Sequence, residues 1–260
     1  MRIALGIEYD GHDLYGWQAQ SGLPTVQQHL EDALTKIANH PVKLFCAGRT
    51  DAGVHATGQV SHFETTNVRH LHAYTLGANT HLPPGIAVRW AQQVDEQFHA
   101  RFSARARTYH YIIYNHPIRS AIMCKRATWC QHELDITPMQ EAANALLGEQ
   151  DFSSFRSAQC ESHSPTRNVH LVTVSRQQRY VIITLTANAF LHHMVRNIAG
   201  VLIRIGSGRL RAAQMQEILA AKDRSVAFET ASAAGLYLAK VTYPEPYIFP
   251  KTENLPLFLL

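Results

Sequence analysis

The sequence predicts an α+β chain of two ferredoxin-like (RRM-like) halves. Three observations carry this. The first hundred residues alternate strand-like and helix-like periodicity in the order β-α-β-β-α-β, which is the ferredoxin-like unit. The remainder runs through a comparable set of elements. At 260 residues the chain is long enough for two such cores. The split falls near residue 104, giving an N-terminal domain over 1–104 and a decorated C-terminal domain over 105–260, with no long linker between them.

Taken in order, "RIALGIEYDG" (2–11) reads as a strand ending in a turn. "TVQQHLEDALTKIANH" (25–40) is an amphipathic helix. Thr25 and Gln28 form a capping box, and Val26, Leu30, Ala33, Leu34 and Ile37 make one apolar stripe. "VKLFCA" and "GQVSHFE" are strands either side of the loop 48–57, which belongs to the first half. A second helix is expected over "HLHAYTLGANTH" (70–81), stopped by Pro83 and Pro84, before the strand "GIAVRWAQQV".

In the second half "TYHYIIY" (108–114) alternates like a strand, with Tyr109, Tyr111 and Ile113 on one face and His110 and Ile112 on the other. A helix opened by Thr137 and Pro138 follows, then the strands "NVHLVTVSRQ" and "RYVIITLTA". A long helix is expected over "FLHHMVRNIAGVLIRIGSG" (190–208), a short one around "RAAQMQEILAA", and a last strand over "GLYLAKVTY". On the long helix Leu191, Met194, Val195, Ile198, Leu202 and Ile205 form one stripe. Arg196 lies off it, beside Ala199 and Gly200, whose small size leaves room for another element to approach.

Composition is that of an ordinary globular protein. The apolar run at the N-terminus is too short for a signal or a membrane span, so a cytoplasmic protein without a membrane partner is expected. Four widely spaced cysteines with no CxxC pair read as structural thiols. Net charge is only +4, but between His99 and His132 there are six Arg or Lys and no acid. Between Ser162 and Gln216 there are seven Arg and again no acid. Such stretches suit a polyanionic partner, because each cation on a phosphate releases condensed counterions. They read equally as solvated basic faces.

The most informative stretch is "AGRTDAGVHATGQVSHF" (47–63), which sets Arg49 and Asp51 in a glycine-flanked loop ahead of an alternating strand. Alone, an Asp in such a loop reads as a turn residue bonding its own backbone. It reads also as a reactive carboxylate displayed from the end of a sheet. His55 with His62, or His192 with His193, raises the question of a metal. No HExxH pattern or carboxylate cluster accompanies them, and the two adjacent histidines of a helix point apart, so no metal is expected. The absence of GxGxxG and P-loop patterns argues against a nucleotide cofactor.

"GRTDAGVHATGQVSHF" resembles the signature loop of the TruA family of tRNA pseudouridine synthases. "FHARFSARARTYHYII" (98–113) and "FLHHMVRNIAG" (190–200) resemble that family's other two motifs, and "GLYLAKVTYP" (235–244) its last core strand. The four blocks stand in the family's order across most of the chain. The resemblance implies an isomerase that detaches uracil from its ribose, rotates it and rejoins it through carbon, at positions 38, 39 and 40 of the tRNA anticodon stem-loop. It implies a central, mostly antiparallel sheet shared by the two halves with the active-site cleft between them, no cofactor and no metal, tRNA as partner through its anticodon arm, and a homodimer in which one tRNA touches both subunits.

By the same resemblance Asp51 is the nucleophile, Tyr109 stacks on the target base, and Arg196 pairs with Asp51. An Asp can be both ionised and a good leaving group, which such a reaction needs. Arg49 is then available to bond the displaced backbone when the base is flipped out. Two other readings are a non-catalytic tRNA-binding or chaperone protein of the same fold, and a carboxylate-dependent N-glycosylase. The acid-poor motifs weaken the second, which normally requires a second acid.

Overall fold

The computed structural model describes residues 1–160, 162–250 and 255–259 and is an α+β protein. In chain order its main elements are β1 (Arg2–Tyr9), α1 (Val26–Ala38), β2 (Phe45–Cys46), β3 (His55–Glu64), β4 (Ile86–Val94), β5 (Ala106–Asn115), β6 (Thr128–Cys130), α2 (Ile136–Asn144), β7 (Gly148–Asp151), β8 (Thr166–Gln177), β9 (Tyr180–Ala187), α3 (Met194–Gly206), α4 (Gln214–Ala221) and β10 (Leu236–Thr242). They fall into two compact units, Met1–Arg105 with Leu238–Leu260, and Ala106–Tyr237. No helix among the described residues is long and apolar enough to cross a membrane.

In the first unit β1 is the middle of an antiparallel set, with β4 on one side and β3 on the other. β2 pairs with β3 through Phe45 opposite His62, and β10 runs along the other edge of β3. That approach is close: a Cβ on Gly58 would stand 2.1 Å from the Ala239 carbonyl oxygen, so only glycine fits there. Thr25 caps α1 by accepting from the Gln28 amide, and Asn39 ends it in the left-handed conformation at φ 56°. The expected second helix is present, wound as a π-turn over Ala73–Gly77. Of the expected strand "VKLFCA" only Phe45–Cys46 pairs. Around Phe98 the chain's C-terminal part joins the core, with Phe249 stacked on Trp90 at 4.9 Å and Tyr243 5.1 Å from Phe98.

In the second unit β5, β9, β8 and β7 form an antiparallel series, and β6 adds to β5 in parallel. The short strands β6 and β7 carry too few residues to show a period. The cap of α2 is Asp135, which accepts from the Thr137 amide at 2.8 Å; Thr137 and Pro138 lie inside the helix and do not open it. Correction is needed for the long helix too. It starts at Met194, because His193 takes a left-handed φ of 63° and Leu191 closes a turn onto the Met194 amide. His192 and His193 therefore precede the helix, and their rings lie 4.0 Å apart instead of pointing away from each other.

Strand β5 carries a buried histidine. His110 bonds the Thr184 hydroxyl at 2.9 Å, and burial lowers its pKa from 6.5 to about 4. Between those two pH values the unfolded chain takes up a proton that the folded chain refuses, so stability drops as pH falls through this window. His62 in the first unit is lowered to about 4 as well, chiefly by burial. The thermal unfolding midpoint is expected to decline as pH goes from about 6.5 to about 4, and His110→Gln to flatten that decline. A midpoint independent of pH across this range would refute the assignment.

Candidate active site

The Asp51 loop is built by two segments of the first unit that hold one another. Strand β1 shifts register between Ile7 and Tyr9, and such an irregularity re-aims the side chain beyond it. The Tyr9 hydroxyl lies 2.8 Å from the Thr50 hydroxyl. The following segment, 10–17, crosses the loop: Trp17 donates to the Thr50 carbonyl at 3.0 Å and Gly53 donates to the Leu14 carbonyl at 3.2 Å. Val54 donates to the Asp51 carbonyl at 3.1 Å and closes the turn.

Glycines make the approach possible. Gly16 has φ +82°, and a Cβ on it would lie 2.6 Å from the Thr50 carbonyl oxygen and 3.0 Å from the Asp51 carbonyl carbon. A Cβ on Gly11 would lie 2.0 Å from the Val54 oxygen. Gly53 itself adopts φ 77°. On the other side of the loop, buried Gln59 donates to the Gly48 carbonyl at 2.7 Å. Asp51 is left half-buried and Arg49 exposed on the same loop.

Asp10 anchors the crossing segment. Its carboxylate receives His12 Nδ1 at 2.8 Å and faces His55 Nδ1 at 3.1 Å. Burial opposes its ionisation, but the bonds from His55 and His12 prevail and hold its pKa far below the usual carboxylate range. Cys46, at the root of the loop, is pushed up to about 12 by burial, against the opposing pull of the Arg49 and Arg101 charges.

The second unit places Tyr109 and Arg196. Tyr109 lies on β5 opposite Leu185, 8% exposed, with its ring edge-on to Phe190 at 4.9 Å. Arg196 is half-buried on α3, and its Nε donates to the Ala231 carbonyl at 2.8 Å. The Ala231 amide returns a bond to the Arg196 carbonyl at 3.2 Å. The element admitted by small Gly200 is this same 229–231 segment, since a Cβ there would meet the Glu229 oxygen at 2.5 Å. Next to Arg196, fully buried Asn197 donates to the Phe155 carbonyl at 2.8 Å and accepts from Thr230 and Arg224. The Arg196 charge also reaches the Tyr111 phenol, whose pKa burial nevertheless drives well above its ordinary value.

Sequence reasoning passed over Tyr9, Gly11, Gly16, Trp17 and Asn197. Two signals for them were present: "YDGHDLYGWQ", where glycines and aromatics replace any periodic pattern, and an Asn within the apolar side of a helix.

A family model described as tRNA pseudouridine synthase matches residues 6–103 and 142–244. Arg49, Asp51 and Arg196 fall inside the matched ranges, and Tyr109 falls between them. The chain is similar to tRNA pseudouridine synthase A of Shewanella sp. (strain MR-4), at 58% identity over 260 residues that cover 100% of both chains. It is 57% identical, over the same full lengths, to tRNA pseudouridine synthase A of Shewanella baltica (strain OS195). This chain therefore belongs to the TruA family of tRNA pseudouridine synthases.

Proposed function

We propose that this isomerase converts uridine to pseudouridine at positions 38, 39 and 40 of the tRNA anticodon stem-loop, with Asp51 as its nucleophile. The observation that carries the reading is the Asp51 loop. A half-buried carboxylate sits on a turn whose backbone is bonded on both flanks, within a chain that matches its relatives along its whole length. A nucleophile must arrive at one position and orientation, and a backbone that cannot relax removes that entropic cost from the reaction.

In the proposed reaction the bond from ribose C1′ to uracil N1 breaks with help from the Asp51 carboxylate. The base turns, C5 joins C1′, and the hydrogen on C5 leaves as a proton while N1 regains one. Tyr109 stacks on the turning base, which holds a ring without fixing its rotation about the stacking axis. Its edge-on contact with Phe190 orients the phenol for this. Arg196 supplies the cation that pairs with the carboxylate, and its Nε bond to Ala231 supports the role by setting the plane of the guanidinium. Arg49, exposed on the nucleophile's own loop, bonds the RNA backbone once the base has left the stack. The protein acts in the cytoplasm as a homodimer, a reading supported by the family resemblance and tested by its mass in light scattering.

Release of tritium from tRNA labelled at uridine C5 tests the reaction. Asp51→Asn is expected to abolish release while still binding tRNA. Arg196→Ala is expected to lose most of kcat and Arg196→Lys to recover part of it. Free uracil instead of tritiated water would identify a glycosylase, and binding without either product a chaperone.

The same assay separates the role of Arg49. If it assists flipping, Arg49→Ala loses more activity on a uridine in a stem than on one left unpaired, since unpairing costs a few kcal/mol only in the stem. Equal losses would reject the role.

Gly16 is a residue with no expected chemistry and a large expected effect. Gly16→Ala drives a Cβ against the Thr50 and Asp51 backbone. A displacement of about 1 Å at a reacting group costs on the order of a hundredfold. The variant should lose kcat on that scale with its tRNA Kd little changed. Unaltered kcat would show that the brace does not position Asp51.

A further inference from the structure

One surface of the first unit has no part in the chemistry so far. Phe102 is 75% exposed and Phe45 41% exposed. Single exposed apolar residues are ordinary, but these two end a run of rings. Phe45 stacks on His62 at 5.2 Å and 22°, His99 lies 5.6 Å from Phe45, and Phe102 lies 4.3 Å from His99. The rings are held in place. Ala100 donates to His62 Nδ1 at 3.1 Å, and the Arg101 and Phe102 amides approach His99 Nδ1 at 3.1 and 3.3 Å.

Cations accompany the rings. Lys43 Nζ lies 5.7 Å from the Phe45 centroid and the Arg101 guanidinium 5.5 Å from that of Phe102. Glu64, the acid whose charge reaches His62, is already engaged by Arg2. Burial and neighbouring cations lower the pKa of both His62 and His99, so at neutral pH both rings are uncharged. The run begins six residues before Asp51 in sequence, so the intervening chain spans at most about 20 Å.

Aromatic faces combined with cations on a polar surface are what unpaired nucleic acid requires: every base has a π-face, and the cations follow its backbone. We propose that Phe45, His99 and Phe102 form a stacking platform for unpaired bases of the RNA substrate, with Lys43 and Arg101 on the adjoining phosphates. The inference rests on the tRNA isomerase reading above and extends it to where substrate binding energy comes from.

The test measures tritium release by the full-length protein over a range of tRNA concentrations. Phe102→Ala and Phe45→Ala should each raise KM for tRNA about tenfold, the effect of losing one stacked base, with kcat nearly unchanged. Phe102→Trp should keep the wild-type KM and Phe102→Leu should not, because leucine replaces the apolar area without the π-face. A Phe102→Leu enzyme as good as Phe102→Trp would overturn the proposal, as would unchanged KM in both alanine variants. Unchanged KM with conversion of a dimer to a monomer in light scattering would likewise overturn it and mark a contact between copies of this chain. If the wild-type protein releases no tritium, the isomerase reading fails, and the same variants compared by filter binding to tRNA still decide the platform.

Discussion

The bonds between segment 9–17 and the loop 50–54 are the constraint on which the position of Asp51 depends. A carboxylate on an exposed turn samples many positions, and each backbone residue so released costs roughly 1–2 kcal/mol to fix again. Here Trp17, Leu14 and Tyr9 fix it in advance through the Thr50 carbonyl, the Gly53 amide and the Thr50 hydroxyl. The arrangement requires residues that look unrelated to chemistry. The register shift in β1 turns Tyr9 toward Thr50, and Gly16 allows two backbones to meet where any side chain would intrude. Asp10 keeps the crossing segment in place and, being held ionised by its histidines, does so down to pH values below those at which ordinary carboxylates protonate.

The second unit uses the same device on a helix. Arg196 is a long side chain that would lose considerable rotamer freedom on meeting a partner. The 229–231 segment lies close over Gly200, accepts from Arg196 Nε, and returns a bond to the Arg196 carbonyl. Asn197 continues the tie by fixing Thr230 and Arg224 from within the buried side of α3. A buried Asn with all these bonds satisfied contributes specificity, since any slip of the helix would orphan its amide.

The strands and the main helices were legible because their periods run for two turns or more; Asp51, Tyr109 and Arg196 were singled out by the motifs in which they sit. What was not legible is tertiary. Nothing in "DLYGWQ" says that its Gly16 will lie on Thr50, because the two are 34 positions apart and meet only after β1 and β3 pair. The start of α3 was misplaced for a local reason. Leu191 continues the helix's apolar stripe, while the residue that breaks it, His193, carries no side-chain cap and has a left-handed backbone that histidine seldom takes. Phe45 and Phe102 fell inside motifs whose periodicity says only strand or loop, and exposure is invisible to periodicity when the neighbours come from three separate segments.

Rigidity at the loop and breadth on the surrounding surface answer two different energetic demands. In the proposed reaction, holding Asp51 lowers the barrier only for a base already presented to it; it does nothing to extract that base from a stacked stem. Extraction costs a few kcal/mol, and a single half-buried carboxylate offers no compensating contact with the RNA. A platform worth roughly 1–3 kcal/mol per stacked base is of the same size as that cost. Contacts away from the reacting atoms can thus offset the distortion of the substrate without binding the uridine itself more tightly, which would raise the barrier. On this account the exposed phenylalanines of the first unit are not a defect of the surface but the complement of the brace.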